Sequence, residues 1–132
     1  MEKAALYHRA ESEYAYLYTA NEIHIRFRSK KDDVDQVWLH YGDSTIFEDS
    51  GKYQYRVLMR KVATDDLHDY WLANVRVDYR RLLYLFEVSG KDGENVLFGD
   101  LGVVENLPQQ YRVLLNGFRI PYLHDSDRVK VP

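Results

Sequence analysis

The sequence predicts an all-β sandwich of about seven or eight antiparallel strands. Apolar and polar residues alternate with a period of two, no long stretch keeps a helical period, and turn residues recur at intervals typical of sandwiches. The chain has 132 residues and no cysteine. We therefore expect one domain with a core of its own, and neither disulfides nor thiolate metal sites.

Four candidate strands fill the first half of the chain, at residues 13–19, 22–28, 36–41 and 52–61. In each of the first three, alternate residues share a face. One face collects Ala15, Leu17, Ile23, Ile25, Phe27, Val37, Leu39 and Tyr41. The opposite face collects Tyr14, Tyr16, Tyr18, His24, Arg26, Arg28, Trp38 and His40.

The second half continues with a candidate strand at residues 70–77 and a hairpin of strands at 82–88 and 95–98. Gly90, Asp92 and Gly93 supply the hairpin turn. The tail from residue 106 holds all three prolines and is expected to wrap the sandwich as a loop with a short strand. The remaining predicted turns lie at Asn21, Asp32–Asp33, Gly42–Asp43, Asp49–Gly51 and Asp65–Asp66.

The stretch KKDDVDQVWLHYGD (Lys30–Asp43) has three readings: a metal loop, a cluster of catalytic carboxylates, or a charged turn before a strand. A calcium loop needs oxygen ligands at alternate positions, a central glycine and a distal glutamate. Val34 interrupts that pattern, no glycine follows in register, and Lys30 and Lys31 supply countercharge. The charged turn is therefore the favoured interpretation.

Composition argues against several function classes. The net charge of −3 disfavours non-specific nucleic-acid binding, which needs a basic surface. No apolar run approaches the roughly 20 residues of a membrane span, and no leader is visible, so we expect a cytoplasmic protein. No zinc-binding histidine pair, nucleophile elbow or phosphate loop is present. A carboxylate pair for glycoside cleavage stays open, although no spacing singles one out.

Aromatic residues are the positive signal. The chain has 12 tyrosines, 5 phenylalanines and 2 tryptophans. Aromatic rings fill sandwich cores, and they also offer flat surfaces on which the C–H faces of sugars pack. Trp38 and Trp71 are the two aromatic residues to weigh as ligand contacts, and Trp38 lies on the face opposite Val37 and Leu39.

Several stretches together resemble one known group of proteins. They are YHR (7–9), EYAYLY (13–18), IHIRFRSKKDDVDQV (23–37), DDLHDYW (65–71), YRRLLYLF (79–86) and IPYLH (120–124). This order is similar to the N-terminal domain, also classed as a family 34 carbohydrate-binding module, of the neopullulanase, maltogenic amylase and cyclomaltodextrinase group of family 13 glycoside hydrolases. The likeness covers nearly the whole chain.

The resemblance implies an immunoglobulin-like sandwich over residues 1–124 and a linker over 125–132, leading toward a (β/α)₈ catalytic barrel absent from this chain. It places the catalytic carboxylates in that barrel and none here. The parent enzyme would hydrolyse α-1,4 and some α-1,6 glucosidic bonds. No cofactor is implied for this segment, and calcium is an option for the parent.

The resemblance also implies a site and partners. The domain would help to build a dimer and narrow the second subunit's cleft toward cyclodextrins and short maltodextrins. Trp38, Tyr41, Asp43, Thr45 and Phe47 are the implied substrate-binding residues, on the strand Gln36–Tyr41 and the loop Ser44–Ser50. Relatives often carry an aromatic ring in that loop, where Thr45 and Ile46 stand here beside Phe47. Two alternatives stay open: an interaction sandwich without sugar affinity, and an unrelated adhesion or lectin-like sandwich.

Overall fold

Ten antiparallel strands form two facing sheets in the part of the chain that the structure describes. The structure is a computed structural model and describes residues 1–43, 52–77, 81–104 and 117–120. The first five strands are β1 (Ala15–Thr19), β2 (Glu22–Lys30), β3 (Val34–Gly42), β4 (Tyr55–Leu58) and β5 (Arg60–Thr64). The other five are β6 (His68–Arg76), β7 (Leu82–Gly90), β8 (Asn95–Gly99), β9 (Gly102–Val104) and β10 (Phe118–Ile120).

The four-stranded sheet has the order β1-β2-β6-β5, and the six-stranded sheet has the order β4-β3-β7-β8-β9, with β10 also paired to β7. Short 3₁₀ turns at Lys3–Ala5 and Ser12–Tyr14 precede β1. The all-β sandwich predicted from the sequence is confirmed. Within the described ranges, no helix is long and apolar enough to cross a membrane.

The core lies between the two sheets, where the alternation of the sequence places it. Ile23, Ile25 and Phe27 on β2 are fully buried, and so are Val37 and Leu39 on β3. A tilted pair of rings, Phe27 and Phe86, joins the sheets with centroids 4.6 Å apart. Each such side chain contributes roughly 1.5–3 kcal/mol by leaving water. The predicted faces of β2 and β3 are therefore confirmed.

The predicted strand at residues 52–61 is wrong as a single element, because the chain changes sheets at Met59. Residues before Met59 form β4 in the six-stranded sheet, and residues after it form β5 in the four-stranded sheet. The Met59 amide donates to the Val37 carbonyl at 2.8 Å, and the Met59 side chain is buried in the core. A buried residue at the crossing preserves the apolar pattern, so periodicity alone does not reveal the break.

The first predicted strand also begins later than expected. Residues 12–14 form a 3₁₀ turn, and β1 starts at Ala15. The Tyr14 ring is buried and meets the Tyr7 ring edge-on at 5.1 Å. Tyr14 therefore does not extend the row of Tyr16 and Tyr18. Ala15 and Leu17 are buried on the opposite face, as predicted.

The hairpin and the short strand of the tail follow the prediction. Strands β7 and β8 pair around a turn in which Gly93 adopts a φ of 87°, a conformation that favours glycine. In the tail, β10 pairs with the start of β7, and Phe118 packs into the core opposite Tyr84. The rest of the predicted tail loop, with its prolines, lies outside the described residues.

His8 links the two sheets through both of its ring nitrogens. Its Nδ1 lies 2.6 Å from the Arg26 carbonyl oxygen on β2, and its Nε2 lies 2.7 Å from the Tyr84 hydroxyl on β7. A neutral imidazole satisfies both partners when Nδ1–H donates to the carbonyl and Nε2 accepts from the hydroxyl. Burial lowers the pKa of His8 from 6.5 to about 3, so the ring stays neutral at physiological pH.

Candidate functional site

The charged turn after β2 is confirmed as a turn, held by hydrogen bonds from backbone amides to aspartate carboxylates. Asp32 has a φ of 59°, and its amide donates to the buried carboxylate of Asp69 at 3.0 Å. The Asp33 carboxylate accepts from the Glu2 amide at 2.7 Å. Asp35 is exposed on β3. The three aspartates therefore have separate surroundings, and no group of three metal-ligating side chains converges in the described segments.

Asp69 anchors this turn from beneath. Its carboxylate accepts hydrogen bonds from Thr64 Oγ1 at 2.7 Å and from Lys61 Nζ at 3.2 Å, besides the Asp32 amide. Burial alone would raise the pKa of Asp69, but these hydrogen bonds outweigh burial and lower it. The acidic stretch, for which the sequence left three interpretations, therefore helps to fix one end of the four-stranded sheet.

Strand β3 places the predicted Trp38 and Tyr41 on opposite faces of the six-stranded sheet. The two residues are three positions apart, and side chains alternate along a strand. Tyr41 packs against the core, whereas Trp38 lies on the outer face. The structure therefore does not bring these two rings together into one site.

The Trp38 ring is already covered on the outer face. The Arg56 guanidinium of β4 lies 4.4 Å from the Trp38 ring centroid, close enough for a cation–π contact. Next along the strand, His40 Nε2 lies 2.9 Å from Glu87 Oε1. The second Glu87 oxygen accepts from Asn95 Nδ2 at 3.3 Å. This network leaves less of the Trp38 ring for a ligand than the sequence alone would indicate.

Tyr41 and Tyr55 form a ring pair at the opposite end of β3 from the charged turn. They face each other across β3 and β4, with centroids 5.4 Å apart and planes inclined by 35°. Burial and the neighbouring Tyr55 raise the pKa of Tyr41. Tyr55 is 51% exposed, so the pair has one ring in the protein and one in solvent.

Asp43 follows β3 directly and is held by its neighbours. Its amide donates to Gln54 Oε1 at 2.8 Å, and its carboxylate oxygen lies 3.6 Å from an Arg81 guanidinium nitrogen. We call Tyr41, Asp43, Gln54, Tyr55 and Arg81 the loop base: the first four stand where the chain leaves β3 and returns to β4, and Arg81, just before β7, lies beside Asp43.

Gly42 differs from its predicted role as part of a turn. It is the last residue of β3 and pairs with Leu83 of β7. A Cβ at Gly42 would lie 3.0 Å from Gln54 Oε1 and 3.1 Å from the Gln54 backbone nitrogen. Glycine at position 42 therefore allows Gln54, which comes just before β4, to approach the end of β3 closely at the loop base. The predicted contacts Thr45 and Phe47, and the loop Ser44–Ser50, lie outside the described residues.

A second cluster, which the sequence interpretation did not propose as a site, lies on the outer face of the four-stranded sheet. The Tyr18 ring stacks on the His24 ring, with centroids 4.2 Å apart and planes inclined by 14°. The Tyr16 hydroxyl lies 3.0 Å from His24 Nδ1. Asn74 stands opposite His24 on the next strand. The row of tyrosines in EYAYLY was the available sequence signal.

Comparison with known proteins assigns the chain to a family. Residues 1–124 match the family described as "Alpha amylase, N-terminal ig-like domain". The chain belongs to this family. The fold found here agrees with it, because two antiparallel sheets pack face to face around one core.

Individual relatives match over the whole chain. The chain is 35% identical over 132 residues to an "Intracellular maltogenic amylase" of Bacillus subtilis (strain 168), and 38% identical over 133 residues to a "Cyclomaltodextrinase" of Geobacillus thermopakistaniensis. A solved structure of a "Cyclomaltodextrinase" superposes with a TM-score of 0.82 at 30% identity, covering 100% of this chain and 21% of that chain. This α-amylase N-terminal domain spans 22% of the length of these two curated relatives.

Proposed function

We propose that the chain is the N-terminal accessory domain of an α-glucan hydrolase of the maltogenic amylase or cyclomaltodextrinase type. The whole protein would cleave α-1,4 and some α-1,6 glucosidic bonds in cyclodextrins and maltodextrins. The observation that carries this proposal is the match of the full chain to relatives with these names. Catalysis would take place in a (β/α)₈ barrel that follows this domain, and this domain would contribute to binding and assembly.

We place the contribution of the domain at the loop base. Asp43 is held by Gln54 and Arg81, so the described residue from which the loop starts has a fixed position. A loop fixed at its base loses less conformational freedom when it contacts a second molecule. In our proposal, this loop narrows the substrate cleft of a second subunit, and the contact also supports a dimer.

Variants of the full-length protein test this function. Arg81→Ala removes the guanidinium next to Asp43 and weakens the loop base. We expect kcat/KM for β-cyclodextrin to fall about fivefold to tenfold, corresponding to roughly 1–1.4 kcal/mol of transition-state binding. The value for maltotriose, a short linear substrate, should change by less than about twofold. Sedimentation should show a weaker dimer.

Asp35→Ala is the matched control, because Asp35 is an exposed charged residue at the other end of β3 from Asp43. It should leave the cyclodextrin preference and the dimer unchanged. Equal cyclodextrin kinetics and equal dimer stability in Arg81→Ala, Asp35→Ala and the parent protein would contradict the accessory role.

One observation favours a second function. The aromatic rings that were predicted to bind substrate make contacts within the domain instead. Trp38 is covered by Arg56, and Tyr41 packs toward the core. A sandwich used only for protein contacts would have such rings and no sugar affinity of its own. In that case the Arg81→Ala variant would lose the dimer, while the isolated domain would give no signal with any maltodextrin.

A further inference from the structure

The cluster on the outer face of the four-stranded sheet has an exposed ring held in a fixed orientation. Tyr18 is 51% exposed, yet one face of its ring rests on His24 at 4.2 Å. Parallel stacking of this kind leaves the other face of the Tyr18 ring to solvent. The side chain therefore offers a flat apolar surface whose conformational entropy is already reduced.

A β-bulge puts Tyr18 in this position. Leu17 pairs with Ile23 and Thr19 pairs with Glu22, so Tyr18 is the extra residue on β1. Bulges redirect a side chain, and they occur often beside functional sites. A regular strand would continue the register one residue per step, and the bulge instead brings the ring over His24.

Two polar side chains near His24, Glu22 on β2 and Asn74 opposite His24 on β6, are fixed by hydrogen bonds. Glu22 accepts from Asn74 Nδ2 at 2.9 Å and from Thr19 Oγ1 at 3.1 Å. These hydrogen bonds lower the pKa of Glu22, so its carboxylate remains an acceptor. Burial lowers the pKa of His24, and the neutral ring donates from Nε2 when Tyr16 donates to Nδ1.

The combination of one flat ring with fixed donors and acceptors matches the surface of a hexose. One face of a glucose ring is made of C–H groups, and its rim has adjacent hydroxyls that both donate and accept. We propose that Tyr18, His24, Glu22 and Asn74 form a binding site for a glucosyl unit of an α-glucan chain. The identity of the sugar rests on the proposed function, and the location rests on the geometry.

This site is separate from the loop base. Tyr18 and His24 lie on the outer face of the four-stranded sheet, whereas Asp43 ends a strand of the six-stranded sheet. The core lies between the two sheets. A glucan held at Tyr18 is therefore bound by different residues from those that shape the cleft, and the two functions can fail independently.

Calorimetric titration of the 132-residue chain with maltoheptaose tests the site. The chain can be used by itself, because its two sheets share one core. Tyr18→Ala should weaken binding about fivefold to tenfold through loss of the stacking ring. Leu101→Ala is the control, since Leu101 is 77% exposed and lies in the turn between β8 and β9 of the other sheet, outside the loop base. It should change the affinity by less than about twofold.

Two more variants keep the result interpretable. Tyr18→Phe retains the ring and should bind within about twofold of the parent chain. Asn74→Ala removes an exposed donor and should weaken binding about threefold, which provides the test if Tyr18→Ala does not fold. The site is excluded if the folded parent chain shows no binding, or if Tyr18→Ala and Asn74→Ala both bind as the parent does. The kinetics of Arg81→Ala in the full-length protein would be unaffected by that outcome.

Discussion

Each outer face of the sandwich has a histidine near an aromatic ring. Neighbouring side chains leave the ring exposed on one face and cover it on the other. On the four-stranded sheet, Tyr18 stacks on His24 and keeps one face of its ring in solvent. On the six-stranded sheet, His40 pairs with Glu87, and Arg56 covers Trp38. The first face has an open ring, whereas the second has its larger ring closed by a neighbour.

The difference comes from residues on neighbouring strands. Asn74 stands opposite His24, and Arg56 stands opposite His40. A long cation can reach along its sheet to the next aromatic ring, whereas a short amide cannot. A prominent tryptophan in a sequence is therefore a weaker guide to a ligand site than the length and charge of its cross-strand neighbours.

The largest expected effect concerns the link that holds both faces in place. The pKa of His8 is about 3 in the folded chain, against 6.5 in the unfolded chain. Since the unfolded state binds the proton first, stability is complete above pH 6.5 and decreases as the pH falls toward 3. At pH 4 the loss attributable to His8 is roughly 3 kcal/mol.

Urea unfolding between pH 7 and pH 4 measures this effect. His8→Gln should be less stable at pH 7 but should have a flatter dependence between pH 6.5 and pH 4.5. The rings of Tyr14 and Tyr84 are the titratable groups next to His8, and both ionise far above this range, because burial raises the pKa of each. An equal pH dependence in the variant and the parent chain would show that His8 is not the responsible group.

A pair of ring deletions compares the two faces directly. Trp38→Ala should lower the free energy of unfolding by about 2 kcal/mol, because a half-buried ring and its contact with Arg56 are lost. Tyr18→Ala should lower it by less than about 1 kcal/mol, since half of that ring is already in solvent. The order should reverse for maltoheptaose affinity. The same order in both measurements would contradict the assignment of open and covered faces.

The smallest expected effect comes from removing the Arg56 side chain that covers the Trp38 ring. Arg56→Ala should lower the free energy of unfolding by about 0.5–1 kcal/mol, typical of an exposed cation–π contact. Acrylamide should then quench tryptophan fluorescence more efficiently, because Trp38 becomes accessible. Trp71 is the internal reference, since it is 5% exposed and donates to Ser29 Oγ at 3.0 Å. Unchanged quenching would mean that Arg56 does not shield the ring.

Much of the fold was predictable because it depends on local alternation. The burial of Ile23, Ile25 and Phe27 follows from a period of two, and the β7–β8 turn follows from its glycines. The change of sheet at Met59 was not predictable, since a buried residue at a crossing has the same pattern as one within a strand. At the crossing, the Met59 amide donates to the carbonyl of Val37, a residue distant in sequence.

The candidate site was predictable only in part, for a related reason. The opposite faces of Trp38 and Tyr41 follow from their spacing along β3. The closing of Trp38 by Arg56, and the bulge that turns Tyr18 over His24, depend on pairing between strands. Register between strands is set by the whole sheet and by turn geometry, so a single strand does not reveal it.

Mapping of backbone amide shifts during titration of the chain with maltoheptaose is the most direct test of the central claim, that the open face binds glucan and the covered face does not. We predict saturable shifts for residues around Tyr18, His24 and Asn74, with little change around Trp38 and His40. Shifts centred on Trp38, or none on β1, β2 and β6 at saturation, would contradict the claim.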